Sequence, residues 1–349
     1  MHDLTDAIKA VTKGIDLSFE QAQTAAQFLA ESQDEEAAKR ALLVGLADKG
    51  ETPTEVAGFA AAFRGLARDP GLAAWRERAI DVCGTGGDKV ESFNISTAVS
   101  FILATAGVPV CKHGNRSVTS QCGSADLLES LGFPLELDVS LLGPSLEQLN
   151  FCFLFAPAYH PAFKAIAPLR RTLAEAGRRT IFNLIGPLIN PAQPAQQLLG
   201  VFDPAWVSTL ADVLDQLGVQ RGLVVHGVLE DGRGLDELTC SGTNRLAGVG
   251  ALAGVYEGPP LADLGLEPCS IDELAGGDAA ENRRLLEALL AGEAPRGLRG
   301  TVCLNAGAGL WVAGEAENWA QGIARAQDLL MNGAVAQWLK DAQAFYSSL

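Results

Sequence analysis

No apolar run in the 349-residue sequence is able to cross a bilayer. The longest, Thr97 to Cys111, is broken by Ser100, Thr105, Gly107 and Pro109 and falls short of the roughly 20 residues that a spanning helix needs. The opening residues, MHDLTDAIKA, lack a basic segment followed by an apolar one, so no secretion signal and a cytoplasmic location are expected. The seven cysteines, at 83, 111, 122, 152, 240, 269 and 303, contain no CxxC pair, which argues against a disulfide framework and against a zinc cage. The four histidines lack metal spacing such as HExxH. Positive charge is also scarce: 26 Lys and Arg stand against 42 Asp and Glu, a formal net charge of -16. Non-specific attraction to nucleic acid or an anionic membrane is therefore not expected, and an anionic substrate must meet a local cluster of cations. No internal repeat or low-complexity tract is present.

What is there is a folding sequence. Hydrophobic residues make up 48% of it, and mean hydropathy is +0.15. Its length exceeds the roughly 250–300 residues at which single cores stop growing, so two lobes are expected. Residues 1–68 read as a small all-helical lobe: DLSFEQAQTAAQFLAES, then EEAAKRALLVGLADKG, then TPTEVAGFAAAFRGLA. In the second segment Ala41, Leu42, Val44 and Leu46 mark an apolar face, and Gly50 can end the helix. In the third, Thr52, Pro53 and Glu55 spell a capping box with proline in the first turn. Residues 75–349 read as a larger α/β lobe with a mostly parallel central sheet flanked by helices. There AIDVCG, VPVCKHG, FCFLFAP, GLVVHG and TVCLNAG are candidate strands, alternating with helical patterns such as ISTAVSFILATAG and SADLLESLG. Residues of about 161–185 look helical again and are expected to rejoin the first lobe, while WAQGIARAQDLLMNGAVAQWLKDA reads as packed helices.

Two loops carry chemistry. Gly84-Thr85-Gly86-Gly87-Asp88 follows a strand and precedes Asn94-Ile95-Ser96-Thr97 at the head of a helix. Glycines let backbone amides approach an oxyanion, and a helix N-terminus adds free N–H groups and the positive end of a dipole. The spacing fits neither GxGxxG nor GxxxxGK[ST], which sets aside dinucleotide and P-loop sites. The second loop, Lys112 to Ser120 followed by Gly123-Ser124-Ala125-Asp126, places Lys112, Arg116 and several hydroxyls at the same edge of the sheet. Asp236 and Glu237, in GLDELT, are adjacent carboxylates; such acids are more often solvated loop charges than ligands.

In order and spacing, GTGGD, NIST, KHGNR with GSAD, YHPA, RTIFN-x-x-GP-x-x-NP and GLDELT resemble the anthranilate phosphoribosyltransferases, over nearly the whole chain. The resemblance implies an enzyme that uses magnesium to join anthranilate to phosphoribosyl pyrophosphate in tryptophan biosynthesis, as a homodimer through the helical lobe. It implies that Gly84, Gly87, Asp88, Ser92, Asn94, Ile95, Ser96, Thr97, Lys112, Ser120 and Ser124 hold phosphoribosyl pyrophosphate. It places Gly84, His113, Asn115, His160 and Arg170 on anthranilate, and Ser96, Asp236 and Glu237 on magnesium. Lys112, Asn115 and Arg170 are the implied catalytic set. Arg170 also has a chemical reason, since its planar fork can grip a carboxylate in two parallel bonds. His160 either lines the anthranilate entrance or caps the helix opened by Pro161, and His226 reads as structural.

Two departures from the family are visible: Lys89-Val90-Glu91 is a stretch that the family does not fix, with Ser92 where threonine is common, and the second precedes RTIFN. The stretch TLAEAGR before RTIFN is longer than the family pattern, which keeps Arg171 and Arg179 as alternatives to Arg170. A pyrimidine nucleoside phosphorylase-like enzyme shares the architecture and the glycine loop but needs no magnesium for a pyrophosphate. A non-catalytic nucleic-acid-binding relative would need degraded motifs and a basic surface.

Overall fold

The computed structural model describes residues 2–31, 35–87, 90–117 and 121–349. The chain opens with α1 (His2–Thr12), α2 (Phe19–Glu31), α3 (Glu36–Lys49) and α4 (Pro53–Gly65). Of these, α1 is not picked out by the sequence patterns. The Thr52–Glu55 capping box is present: Thr52 Oγ1 accepts from the Glu55 amide, and Glu55 Oε2 accepts from the Thr52 amide at 2.8 Å. Buried Glu55 also accepts from Lys49 Nζ at 2.9 Å and from the Leu17 amide at 2.9 Å, so one carboxylate ties together the starts and ends of neighbouring helices. Gly50 ends α3 at φ +86°. The buried face of α3 is Lys39, Leu42, Leu43 and Leu46; Ala41 is exposed and Val44 half-buried, so the expected apolar face is rotated.

Next come β1 (Ile80–Gly84), α5 (Ile95–Thr105), β2 (Val110–Gly114), α6 (Ser124–Ser130), α7 (Val139–Leu149), β3 (Phe151–Phe155), α8 (Ala156–Tyr159) and α9 (Ala167–Glu175). Then follow β4 (Gln196–Gly200), α10 (Trp206–Gln216), β5 (Arg221–Leu229), β6 (Gly234–Leu235), β7 (Gly242–Gly250), α11 (Ala279–Ala291), α12 (Arg296–Val312), α13 (Trp319–Met331) and α14 (Ala334–Ser347). The sheet runs β3-β2-β1-β4-β5-β6, with β7 also on β5. Strands β1 to β5 are mutually parallel, and β6 and β7 are antiparallel to β5. The chain builds outward from β1 to β3 and then returns to the other side of β1, so the topological switch lies between β1 and β4. Ligands of open α/β sheets bind in that kind of crevice.

One expected strand is corrected. TVCLNAG lies inside α12, a helix buried nearly all round, and such a segment has no polar face to reveal its period. Its glycines serve packing: a Cβ at Gly307 would sit 2.5 Å from Ile323 Cγ1, so α12 and α13 approach closely because that position carries no side chain.

The sheet face bearing α5 and α12 to α14 forms one apolar core. The other face shares a core with α1 to α4, with Ile166, Leu169, Leu173, Ile181 and Phe182, and with α10. Residues 161–185 therefore pack among the N-terminal helices. They do so as 3-10 turns around α9, not as one long helix.

Candidate active site

The site begins where β1 and β4 end in glycine. Gly86 and Gly87, in the loop after β1, have φ of +67° and +79°, a backbone region that favours glycine. The Gly86 amide donates to Asp236 Oδ2 at 2.6 Å, and the Ser96 amide, in the first turn of α5, donates to Glu237 Oε1 at 3.0 Å. A Cβ on Gly84 would overlap the Asp236 carboxylate, and one on Gly200 would overlap the Asp236 carbonyl. The two strand ends are thus bare where Asp236 must fit. Behind this pair, α12 supplies Asn305, which accepts from the Leu238 amide at 3.0 Å and donates to the Leu238 carbonyl at 2.8 Å. Ser96, Asp236, Glu237 and Asn305 line a small cleft with Val82, Cys83, Leu198 and Val225.

Lys112 lies beneath this cleft, 1% exposed, with Nζ donating to the Val82 carbonyl at 2.7 Å and to Ser96 Oγ at 3.3 Å. Burial lowers its pKa, and the nearby carboxylates of Asp81 and Glu237 act the other way. The bond to Val82 belongs to a wider substitution. Strands β1 and β2 are in register only at Ile80 and Val110, and beyond that point side chains replace the ladder. Asp81 Oδ1 accepts from the His113 amide at 3.2 Å, and Asn190 Nδ2 donates to the Cys111 carbonyl at 2.8 Å and to Asp81 Oδ2 at 2.9 Å. Burial pushes the Asp81 carboxyl up to about 6, although the Asn190 bond and the Lys112 charge oppose the shift.

The other side of Lys112 is aromatic. The buried rings of His113 and His160 meet edge to face at 5.1 Å, and His160 lies 5.8 Å from the Phe163 ring. Burial pushes His113 down to about 3, with His160 adding to it, and pushes His160 down to about 4, so both are neutral at pH 7. Neither ring nitrogen of His160, nor Nε2 of His113, has a hydrogen-bond partner of normal geometry among the described residues. The Arg170 guanidinium stands 5.4 Å from the Phe163 ring centre and 5.1 Å from that of Phe182, and Phe63 of α4 packs against both rings. Among the described residues no ion pair engages Arg170; its burial lowers its pKa, as expected for a cation without a counter-charge. Arg64 of α4 reaches across to the Leu188 carbonyl at 2.6 Å, pinning the loop of Pro187 and Asn190 to the helical lobe.

Known proteins are similar to this chain in sequence and fold. The model of the glycosyl transferase family, a/b domain, matches residues 76–336, and that of the glycosyl transferase family, helical bundle domain, matches residues 5–67. The anthranilate phosphoribosyltransferase of Sorangium cellulosum (strain So ce56) is 43% identical over 341 residues, which cover 97% of this chain and 94% of that protein. The chain belongs to the anthranilate phosphoribosyltransferase family. The crystal structure of the family member from Thermus thermophilus matches at a TM-score of 0.89 and 40% identity, over 98% of this chain and 99% of that one. A structure of the Saccharomyces cerevisiae enzyme, solved in complex with phosphoribosyl pyrophosphate and magnesium, shares the fold at a TM-score of 0.84 and 22% identity, over 99% of this chain and 98% of that one. Family membership leaves the nucleoside phosphorylase-like and nucleic-acid-binding alternatives without support.

The remaining candidate residues divide. Asp88 and Ser120 lie outside the described residues. Ile95 is buried in the core, so only its backbone, at the head of α5, can serve a ligand. Thr97 is buried and its hydroxyl has no partner among the described residues. Asn94 leaves its own helix uncapped; its Nδ2 donates to the Cys122 carbonyl at 3.0 Å, and its Oδ1 accepts from Asn282 at 2.9 Å. Ser92 bridges Ala275. Ser124 Oγ donates to the Asn115 carbonyl at 3.4 Å, and exposed Asn115 folds its Oδ1 back on the Arg116 amide at 2.7 Å. Arg116 does not join the cation cluster expected of it, because it pairs with Asp126 at 3.0 Å and Glu129 at 2.8 Å on α6. Of the reserve arginines, Arg171 is exposed and Arg179 stacks 4.0 Å over Phe202, which leaves Arg170 as the one on the Phe163–Phe182 platform. His226 is structural, with Nδ1 2.7 Å from the Val201 carbonyl.

Three polar residues of the site are given no role by the sequence: Asp81, Asn305, and Asn190, which enters only as the Asn of the NP that closes the RTIFN motif. Asp81 and Asn305 sit inside apolar runs, and a polar residue there is the signal, because burial without a partner is costly. The donors at the cleft, two carboxylates and the Ser96 hydroxyl, are all oxygen. No group of three or more His, Cys, Asp or Glu that could hold a metal is found among the described residues. That set suits magnesium, which typically takes one or two carboxylates plus substrate phosphate, and does not suit zinc.

Proposed function

We propose that the chain transfers the 5-phosphoribosyl group of phosphoribosyl pyrophosphate to the amine of anthranilate, giving N-(5-phosphoribosyl)anthranilate and pyrophosphate, a step of tryptophan biosynthesis. The observation that carries the reading is a pair of clusters met at adjacent residues of β2, an anion-binding one around Lys112 and an aromatic one around His113. In the first, the amides of Gly86 and Ser96 already hold carboxylate anions above buried Lys112. In the second, Arg170 stands on two phenylalanine rings near neutral, partly unsatisfied histidines.

On this reading Gly84, Gly87, Asp88, Ser92, Asn94, Ser96, Thr97, Lys112, Ser120 and Ser124, with the backbone of Ile95, surround phosphoribosyl pyrophosphate. Arg170 grips the anthranilate carboxylate, and Asn115 with the walls His113 and His160 aims its amine at the ribose. As the bond from C1 to the pyrophosphate oxygen breaks, negative charge grows on the leaving group, and Lys112 and the loop amides are aimed at it. The new bond joins C1 to the amine nitrogen, whose proton passes to solvent. An aromatic amine is neutral at pH 7, so positioning serves where a strong base would otherwise be needed. Asp236, Glu237 and Ser96 would hold magnesium, which supplies further charge stabilisation to the pyrophosphate.

We also propose a homodimer through the helical lobe. The outer face of α3 supports it, where Ala37, Ala41 and Val44, with the ion-paired Glu36 and Arg40, line an open groove.

The test of the activity is loss of anthranilate fluorescence with phosphoribosyl pyrophosphate and magnesium, each omitted in turn. Loss that persists without phosphoribosyl pyrophosphate would sink the reading.

A further inference from the structure

The amides that the phosphoribosyl pyrophosphate reading needs for diphosphate are not vacant. The Gly86 amide is held by Asp236 at 2.6 Å and the Ser96 amide by Glu237 at 3.0 Å. Three features show that this seating is built into the fold. Gly84 and Gly200 leave room for Asp236 that any Cβ would fill. Asn94, at the capping position of α5, turns its side chain to Cys122 and Asn282, which leaves the helix N-terminus to Glu237. Asn305 fixes the following residue, Leu238, by both its backbone polar groups.

We propose that Asp236 and Glu237 are specificity-determining residues that occupy the anion seats of the loop themselves, so that the loop favours a diphosphate that arrives together with a divalent cation over a metal-free one. The inference rests on reading this loop as the phosphoribosyl pyrophosphate site. A free anion must displace two carboxylates from good hydrogen bonds and then lie beside their charges. A divalent cation attracts those same carboxylates, and every increment by which it draws them off the amides is an increment of affinity gained by the diphosphate. By linkage, diphosphate must then tighten cation binding by the same factor. Inorganic phosphate and other metal-free anions gain nothing from this exchange and bind more weakly.

The experiment is calorimetric titration of the full chain with inorganic pyrophosphate, with and without magnesium, for wild type, Glu237→Ala, Glu237→Gln, Asp236→Ala and Asp236→Asn. Without metal, Glu237→Ala should bind pyrophosphate about tenfold more tightly than wild type, the worth of one hydrogen bond to a charged group. Glu237→Gln should gain clearly less, because its amide oxygen can still take the Ser96 N–H. Asp236→Ala and Asp236→Asn repeat the comparison at Gly86 and keep the test open if one variant fails to fold. Equal gains in the alanine and amide variants would reduce the effect to lost charge and overturn the proposal, as would no gain in either. If wild type binds pyrophosphate neither with nor without magnesium, the site reading itself falls and the proposal with it.

Discussion

Asn305 and Leu238 are joined by two hydrogen bonds: the Leu238 amide donates to Asn305 Oδ1 at 3.0 Å, and Asn305 Nδ2 donates to the Leu238 carbonyl at 2.8 Å. Leu238 follows the carboxylate pair directly, so a residue of α12, remote in sequence, sets where Asp236 and Glu237 stand. Asn305→Leu leaves both backbone groups buried without partners. We expect a loss of stability of about 2–4 kcal/mol, the cost of orphaning two buried polar groups, together with a higher magnesium requirement. Urea unfolding and a magnesium titration of the rate measure the two separately; a destabilised variant with unchanged magnesium dependence would confine Asn305 to a structural role.

Arg170 is held by ring faces and, among the described residues, not by an acid. Arg170→Ala should raise the KM for anthranilate roughly 30- to 150-fold, about 2–3 kcal/mol, and leave the KM for phosphoribosyl pyrophosphate near its starting value. Arg170→Lys should recover only part of the loss, since an ammonium neither stacks on Phe163 and Phe182 nor offers the bidentate fork. Steady-state kinetics with each substrate varied decides it; an anthranilate KM within twofold of wild type in Arg170→Ala would exclude the assignment.

Both the glycine loop and the Thr52–Glu55 cap are legible in the sequence because each is a local pattern with one physical meaning. The aromatic platform is not, since Phe63, Phe163 and Phe182 come from separate segments and only the fold brings their rings within 4.9 to 5.5 Å of each other. Arg116 misleads for a related reason. Its proximity to Lys112 in sequence suggests a shared substrate, whereas one turn of α6 offers Asp126 and Glu129 as closer partners. In β7, GTNRLAGVG, glycine and asparagine dilute the β signal, and nine backbone pairings with β5 override that local weakness.

His160 is buried and its pKa is pushed down to about 4. The folded state therefore binds fewer protons than the unfolded chain between about pH 4 and 6.5, and stability is lost as pH falls through that window. We expect His160→Phe to remove about 2 kcal/mol of the difference in unfolding free energy between pH 7 and pH 5. Urea denaturation of both proteins at the two pH values measures it; identical pH dependence would show that His160 is not the buried neutral base described.

If α3 forms the dimer contact, Ala41→Glu places a charge at the centre of the groove face and should yield a monomer with an intact fold. Light scattering at matched concentration reads the mass. A wild type that is monomeric at micromolar concentration would remove the proposed dimer.

The central claim is that the anion-binding cluster around Lys112 and the aromatic cluster around His113 act on one reaction. The most direct measurement is the mass and anomeric NMR spectrum of the product formed from anthranilate, phosphoribosyl pyrophosphate and magnesium, set beside a parallel incubation with thymidine and phosphate. The expected result is an N-glycosidic phosphoribosyl adduct of anthranilate with one equivalent of pyrophosphate released, and no turnover of thymidine. Phosphorolysis of thymidine without any anthranilate adduct would contradict it.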